Sequence, residues 1–172
     1  ECDGVSIDYI PKTQVYLVNK LKDVLVGIGM NEILTYPLVS ISELEATGSL
    51  KQHSPLKVSN PMNDNLQYLR TDLRSSILKI LSKNRRFFHT DPMRLFEIGR
   101  TYISNTTPTE LPVEKVLLTG VLSGTRLNET WLANSNQFDF FDGKGLIESM
   151  FSELKLPIIF KKDTTSITNP GR

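Results

Sequence analysis

The sequence has little of several residue types that mark particular protein classes. Its 172 residues include one cysteine, Cys2, together with two histidines and one tryptophan. A single cysteine cannot form an internal disulfide, which favours a reducing compartment, so we expect a cytoplasmic protein. No run approaches the ~18 apolar residues of a membrane-spanning helix, and a net charge of +1 gives no general reason to bind nucleic acid or a membrane. We therefore expect no membrane association.

Signatures of catalysis and of cofactor binding are also scarce. His53, His89 and Cys2 lack the spacing of metal ligands, and no Walker loop or nucleophile elbow occurs. Gly143 and Gly145 lack the third glycine of a dinucleotide-binding loop, and we expect them to allow close backbone approach at the start of a helix. A serine–histidine–aspartate arrangement stays open, because such groups meet only in space.

The hydrophobic pattern predicts an α+β fold with a largely antiparallel sheet flanked by helices. Asp142 is predicted to cap the third helix, with Phe141 and Leu146 forming a hydrophobic staple. Gly29 fits the left-handed position after the first helix. Helices are predicted over residues 14–28, 72–88 and from 142 onward; strands are predicted over 32–39, 57–59, 66–70, 95–104, 116–122 and 157–161.

The first predicted helix has a wider apolar face than packing on one sheet requires. Two stripes at helical spacing combine to form it, and its members are Leu17, Leu21, Val24, Leu25 and Ile28. Helical spacing alone does not explain why this apolar face is so wide.

One stretch of the chain is strongly basic. Residues 70–100 contain eight basic and three acidic side chains, a local charge of +5, with Phe87 and Phe88 among them. Such a mixture permits an RNA-binding surface, for which Lys83, Arg85 and Arg86 are the candidates. A solvated helix face explains the same residues without a ligand, and we favour that interpretation.

Glu97 is the only acid inside an apolar predicted strand. A buried carboxylate must be neutralised or hydrogen-bonded, so we predict a structural ion pair in which Arg70 or Arg100 is the partner.

Four segments, in this order along the chain, resemble one known family. They are VNKLKDVLVGIGMNEILTYPLVS (18–40), VSNPMNDNLQYLRTDLRSSIL (58–78), RLFEIGRTY (94–102), and FDFFDGKGLIESMF (138–151) followed by NPGR (169–172). Together they are similar to the catalytic-like core of the β subunit of bacterial phenylalanyl-tRNA synthetase. Two positions depart from the family pattern: Gly143 stands where a larger apolar residue is expected, and Asn169 where histidine is usual.

The resemblance implies a class II aminoacyl-tRNA synthetase-like fold over residues 13–172, preceded by an opening segment (1–12) and truncated before its C-terminal end. It implies a non-catalytic domain that scaffolds the catalytic α subunit within an (αβ)₂ phenylalanine–tRNA ligase. In that family the motif-1 helix and strand lie at the interface between such cores. The resemblance thus makes the wide apolar face of the first helix a candidate subunit interface, with the members Leu17, Leu21, Val24, Leu25 and Ile28. ATP, Mg²⁺ and tRNA-Phe then belong to the whole enzyme; no catalytic, cofactor-binding or metal-binding residue is assigned in this chain. Two other functions stay open: a basic RNA-binding module over residues 70–100 and a free-standing amino-acid-activating enzyme.

Overall fold

The computed structural model describes residues 13–51, 53–61, 63, 65–88, 91–105, 111–127 and 136–161. The predicted opening segment, Cys2, His89 and the NPGR segment lie outside these residues. The elements, in chain order, are α1 (Thr13–Gly27), β1 (Asn31–Glu32), β2 (Leu38–Val39), α2 (Ile41–Ala46), a 3₁₀ turn (Ser49–Lys51), β3 (Tyr68–Leu69), α3 (Arg74–Arg85), β4 (Met93–Ile103), β5 (Val113–Ser123) and α4 (Phe140–Glu153).

The strands form two small sheets. The larger has the order β1-β4-β5, and the smaller pairs β2 with β3 in antiparallel fashion. β4 and β5 are antiparallel over their whole length, from Met93 opposite Ser123 to Ile103 opposite Val113. The predicted α+β class with a largely antiparallel sheet is confirmed. The parallel pairing of β1 with β4 was not predicted, because a two-residue strand carries no pattern that shows its direction.

The side chains on the two faces of the larger sheet differ in polarity. Phe96 of β4 is fully buried and packs with Leu25 of α1 and Met150 of α4 in the hydrophobic core. The side chain of the next residue, Glu97, points to the opposite face, since successive side chains alternate along a strand. Ser123 of β5 lies on that second face by the same alternation, and its hydroxyl binds Arg85 of α3. The sheet therefore separates an apolar layer under α1 and α4 from a polar layer near α3.

α1 and α4 end with the same hydrogen-bond pattern. In α1, Met30 donates its backbone N–H to Leu25 O and Gly29 donates to Val26 O, which is the Schellman arrangement, and Gly29 has φ 90° as predicted. In α4, Leu156 donates to Phe151 O and Lys155 to Ser152 O, but the left-handed position, φ 56°, is held by Lys155. α4 thus ends at a residue whose side chain disfavours the required backbone conformation.

Replacing Lys155 by glycine is expected to stabilise the protein by about 1 kcal/mol, because glycine has no Cβ to oppose a positive φ. The free energy of unfolding in urea measures the change. Lys155→Ala is the matched control, since it removes the same charged side chain but keeps the Cβ. An equal gain in both variants would contradict the assignment of strain to the backbone.

The structure corrects the predicted start of α4. Asp139, not Asp142, is the N-cap residue: its side chain accepts the Asp142 N–H at 3.1 Å, while the Asp142 carboxylate accepts the Asp139 N–H at 2.7 Å. This capping box places Phe141 inside the first turn with its ring exposed, so the predicted staple with Leu146 is wrong. Arg126 binds both aspartates and fixes the preceding loop to the helix.

The Asp142 capping contact makes stability depend on pH. The Asp139 backbone N–H lowers the pKa of the Asp142 carboxyl, and Arg126 adds to the effect against partial desolvation. A carboxyl whose pKa is lower when folded than when unfolded stabilises the protein at neutral pH, and this stabilisation is lost as the pH falls through the lowered pKa. Asp142→Asn is therefore expected to lower the urea midpoint of unfolding at pH 7. Below about pH 5 the midpoint of this variant is expected to fall less steeply with decreasing pH than that of the unmodified protein. Glu153→Gln, at the other end of α4, is the control; an unchanged pH profile in Asp142→Asn would contradict this account.

Four further predictions of local structure are wrong. The single strand predicted over residues 32–39 is divided between β1 and β2, which belong to different sheets. Residues 157–161 do not form a strand, and the predicted strand at 57–59 is reduced to a single bridge between Lys57 and Tyr68. A Cβ built on Gly143 or Gly145 would meet nothing within 4 Å, so neither glycine serves a close backbone approach. Gly143 lines an apolar cavity instead.

Candidate subunit interface and buried ion pair

Arg70 and Glu97 form an ion pair inside the protein. Arg70, directly after β3, is 4% exposed, and Glu97, in the middle of β4, is 1% exposed. Arg70 Nη1 lies 2.7 Å from Glu97 Oε1. The carboxylate that stood out in the sequence is therefore paired with one of its two predicted partners.

Other groups complete a closed polar network around this pair. Thr35 Oγ1 donates to Glu97 Oε2 at 2.7 Å and accepts from Arg70 Nη1 at 2.7 Å. Arg70 Nε donates to the Arg100 backbone carbonyl at 2.9 Å. Gly99 lies beneath the guanidinium, and a Cβ built there would be 2.3 Å from Arg70 Nη2. The network thus uses a threonine and a glycine that sequence reasoning missed.

Arg100 contributes only its backbone to the network. Its guanidinium is exposed and pairs with Glu114 of β5, Nη1 to Oε2, at 2.9 Å. Positions 97 and 100 are an odd number of residues apart on β4, so their side chains point to opposite faces of the sheet. The alternative prediction, that the Arg100 side chain pairs with Glu97, is therefore wrong, and Arg70 is the partner.

Most of the predicted interface face of α1 packs inside the protein. Leu25 is 2% exposed and belongs to the core, while Leu21, Val24 and Ile28 are half-buried against that core. Only Leu17 is exposed. The structure corrects the assignment of Leu25 to an interface: α4 and the sheet cover α1 from two sides, and this double contact accounts for the width of the apolar face.

Some of the exposed apolar side chains lie elsewhere on α1 and just after β1. Val15, Tyr16 and Val26 are exposed on α1. Between β1 and β2, Leu34 is 82% and Tyr36 77% exposed. Thr35 between them points inward to Glu97, so the polar network holds this segment with its two apolar side chains outward.

α1 and the segment after β1 are neighbours. Lys22, one helical turn before Val26, forms an ion pair with Glu32, two residues before Leu34. We name the outer apolar surface after its exposed members: Val15, Tyr16, Val26, Leu34 and Tyr36. Leu17 is not one of them, because it lies on the same side of α1 as Leu21, which packs against the core. A surface with several large exposed apolar side chains is typical of a protein–protein contact.

The three candidate RNA-facing residues differ in their contacts within the protein. Arg85 binds Ser123 Oγ and the backbone carbonyls of Phe88 and Asp91, so its guanidinium fixes the chain after α3. Arg86 and Lys83 are exposed, and no ion pair joins either of them to another of the described residues. Elsewhere in the basic stretch, carboxylates pair with Arg70, Arg74, Lys79 and Arg100. Intramolecular contacts thus account for much of the local charge.

Within the part of the chain that the structure describes, no three histidine, cysteine, aspartate or glutamate side chains come together as metal ligands would. No helix among the same residues has both the length and the apolar character needed to cross a bilayer.

Comparison with known proteins identifies the family. Residues 10–172 match the family described as the phenylalanyl tRNA synthetase beta chain CLM domain. The chain belongs to this family. It is 36% identical over 140 residues to the phenylalanine–tRNA ligase beta subunit of Dehalococcoides mccartyi, which covers 81% of this chain and 17% of that protein. The beta subunit of Oceanobacillus iheyensis is 33% identical over 161 residues, 91% of this chain and 20% of that protein.

This CLM domain therefore spans about a fifth of the length of the curated beta subunits that it matches. Solved structures show the fold: a pyrrolysyl tRNA synthetase from Desulfitobacterium hafniense aligns with TM-score 0.61 and 19% identity, covering 84% of this chain and 46% of that one. An ATP phosphoribosyltransferase regulatory subunit/histidyl-tRNA synthetase from Bacillus halodurans aligns with TM-score 0.61 and 18% identity, over 87% and 36%. The predicted class II synthetase-like fold is confirmed.

Proposed function

We propose that this CLM domain, residues 13–172, is a non-catalytic scaffold within a cytoplasmic phenylalanine–tRNA ligase. In this proposal it binds the α subunit of an (αβ)₂ enzyme that charges tRNA-Phe with phenylalanine. The observation that carries the scaffold role is the outer apolar surface on α1 and the segment after β1, which a contact with another subunit would cover. The corresponding sequence, residues 18–40, is also the segment that resembles the family's motif-1 helix and strand.

The chemistry of the sheet supports a scaffold rather than a reaction centre. ATP and Mg²⁺ are implied for the whole enzyme, but the buried cation of the polar network is not available to bind a phosphate. Arg70, buried on the polar face of the sheet, already binds Glu97, Thr35 and the Arg100 carbonyl. A cation engaged in this way has few donors left for a phosphate. We therefore assign ATP and Mg²⁺ to the α subunit.

Association with the α subunit tests the proposal. The chain is mixed with the α subunit of a phenylalanine–tRNA ligase, and the mass of the complex is measured by light scattering. The triple variant Val26→Ser, Leu34→Ser, Tyr36→Ser is expected to weaken binding at least tenfold, since buried aromatic and apolar anchors carry most of the energy of an interface. Leu127→Ser, which removes another exposed leucine, is the matched control.

Two results would contradict the proposal. One is equal binding by the triple variant and Leu127→Ser. The other is amino-acid-dependent exchange of pyrophosphate into ATP by the isolated chain, which would show that this domain itself activates an amino acid.

A further inference from the structure

The segment between β1 and β2, residues 33–37, is held to the sheet by few backbone bonds. The pairing of β1 with β4 ends at Glu32 opposite Phe96, and the Ile33 N–H donates to the Phe96 carbonyl at 2.8 Å. Among the described residues, no later backbone group of the segment bonds to the backbone of β4. The sheet ladder therefore does not fix the two exposed side chains that follow, Leu34 and Tyr36.

Thr35 continues the connection to β4 through a side chain. Its backbone N–H donates to Glu97 Oε1 at 3.3 Å, and its hydroxyl donates to Glu97 Oε2 at 2.7 Å. The same hydroxyl accepts from Arg70 Nη1 at 2.7 Å, which is possible because a hydroxyl carries one donor and two lone pairs. For Thr35, the Glu97 carboxylate thus takes the place that a backbone carbonyl of β4 takes for Ile33.

Arg70 holds the far end of the segment. Its backbone N–H donates to the Pro37 carbonyl at 2.9 Å, while its guanidinium binds Thr35. Arg70 is itself bound to β4, because its carbonyl accepts the Tyr102 N–H and its Nε donates to the Arg100 carbonyl, both at 2.9 Å. All eleven residues of β4 pair with β5, so the segment is attached to an extensively paired strand.

The anchored positions alternate with the exposed ones. Hydrogen bonds hold residues 33, 35 and 37, and the large exposed side chains belong to Leu34 and Tyr36 between them. A surface segment that is already fixed loses less conformational entropy when a partner binds it. The polar network can therefore set the affinity for a partner that contacts only the outer side of the segment.

We propose that Thr35 is a positioning residue for binding of the α subunit and acts through the buried pair of Arg70 and Glu97. The inference rests on the proposed function, which assigns Leu34 and Tyr36 to the contact with that subunit. From the inner side of the segment, the Thr35 hydroxyl holds these two side chains in the position in which they bind. Without the hydroxyl the segment occupies that position for a fraction of the time, and the apparent affinity falls by the same fraction.

Calorimetric titration with the α subunit of a phenylalanine–tRNA ligase measures the effect on affinity. Thr35→Val keeps the β-branched shape but removes the hydroxyl, and it is expected to raise the Kd about fivefold or more. Thr35→Ser keeps the hydroxyl and is expected to bind like the unmodified chain. Thr101→Val is the matched control, because it removes another buried threonine hydroxyl, one that donates to the Lys115 carbonyl and lies outside the segment.

Amide hydrogen exchange in the chain alone measures the position of the segment without the partner. The amides at positions 33 and 35 are expected to exchange about tenfold faster in Thr35→Val than in Thr35→Ser, because local opening of the segment becomes less costly. The amides that join β4 to β5 are expected to keep their protection in both variants, which shows that the variants are folded.

Three results would overturn the inference. Equal affinity of Thr35→Val and the unmodified chain would show that the hydroxyl does not set the affinity, while the proposed function would stand. An equal loss of affinity in Thr101→Val would assign the loss to general stability. Unchanged exchange at positions 33 and 35 in Thr35→Val would show that the segment keeps its position without the hydroxyl, whether or not the α subunit binds. Failure of the unmodified chain to bind the α subunit, by contrast, would overturn the proposed function and with it the partner named here.

Discussion

Replacing Arg70 by methionine is expected to lower the free energy of unfolding by about 3–5 kcal/mol, the usual cost of leaving one charge of a buried pair uncompensated. Glu97 would stay in the interior with only Thr35 as a side-chain partner, and the Arg100 carbonyl would lose its donor. Urea unfolding at pH 7 measures the loss. A change below about 1 kcal/mol would contradict the view that Arg70 neutralises a buried charge.

Two control variants test whether the loss of stability comes from leaving a buried charge unpaired. Arg100→Met removes an exposed arginine from the same strand region, and its ion pair with Glu114 is expected to contribute no more than about 1 kcal/mol. The double variant Arg70→Met, Glu97→Leu removes both charges and is expected to recover most of the stability lost in Arg70→Met. Failure of the double variant to recover it would assign the loss to packing rather than to an unpaired charge.

Replacing Gly99 by alanine is expected to cost about 1–3 kcal/mol, the range for overpacking a well-filled site. The added Cβ would lie 2.3 Å from Arg70 Nη2 and 3.1 Å from Glu97 Oε1, so the guanidinium has to move away from its partners. The variant therefore disturbs the ion pair without changing any charge. Urea unfolding again measures the effect.

Gly120→Ala on the neighbouring strand is the matched control. There the nearest atom would be Met30 Cε at 3.2 Å, the flexible end of a side chain that can shift, and the nearest backbone atom, Leu95 O, would be at 3.6 Å. The expected cost is accordingly a fraction of that at Gly99. Equal losses at both glycines would show that strand packing, and not the ion pair, limits substitution.

The sequence is a good guide to elements with long, regular patterns. The helices at α1 and α3 and the strands β4 and β5 follow from periodicity, and Gly29 follows from the backbone conformation that the end of α1 requires. The start of α4 was misplaced because FDFFD contains two aspartates three residues apart, and either is a good capping residue. Only the three-dimensional contacts decide between them.

The polar site was predictable in part. A lone glutamate in an apolar strand predicted a buried ion pair, but two arginines were possible partners. Side chains alternate between the two faces of a strand, so Arg100 points away from Glu97 and Arg70 remains. This choice requires the bounds of β4, which the structure supplies. Thr35 had a weak signal, a polar residue between two large apolar ones. The prediction that Leu25 belongs to a subunit interface was wrong. Periodicity shows that one side of a helix is apolar, but it does not show whether that side packs inside the protein or against another subunit.

The polar network also has a consequence for the order of folding events. Its contacts join positions 62, 35 and 27 residues apart, so each bond brings together two distant segments and the complete network brings together three. Contacts of such high sequence separation require large loops to close first, and loop closure slows folding. We therefore expect the network to be absent from the folding transition state, so that Arg70→Met accelerates unfolding and leaves the refolding rate nearly unchanged.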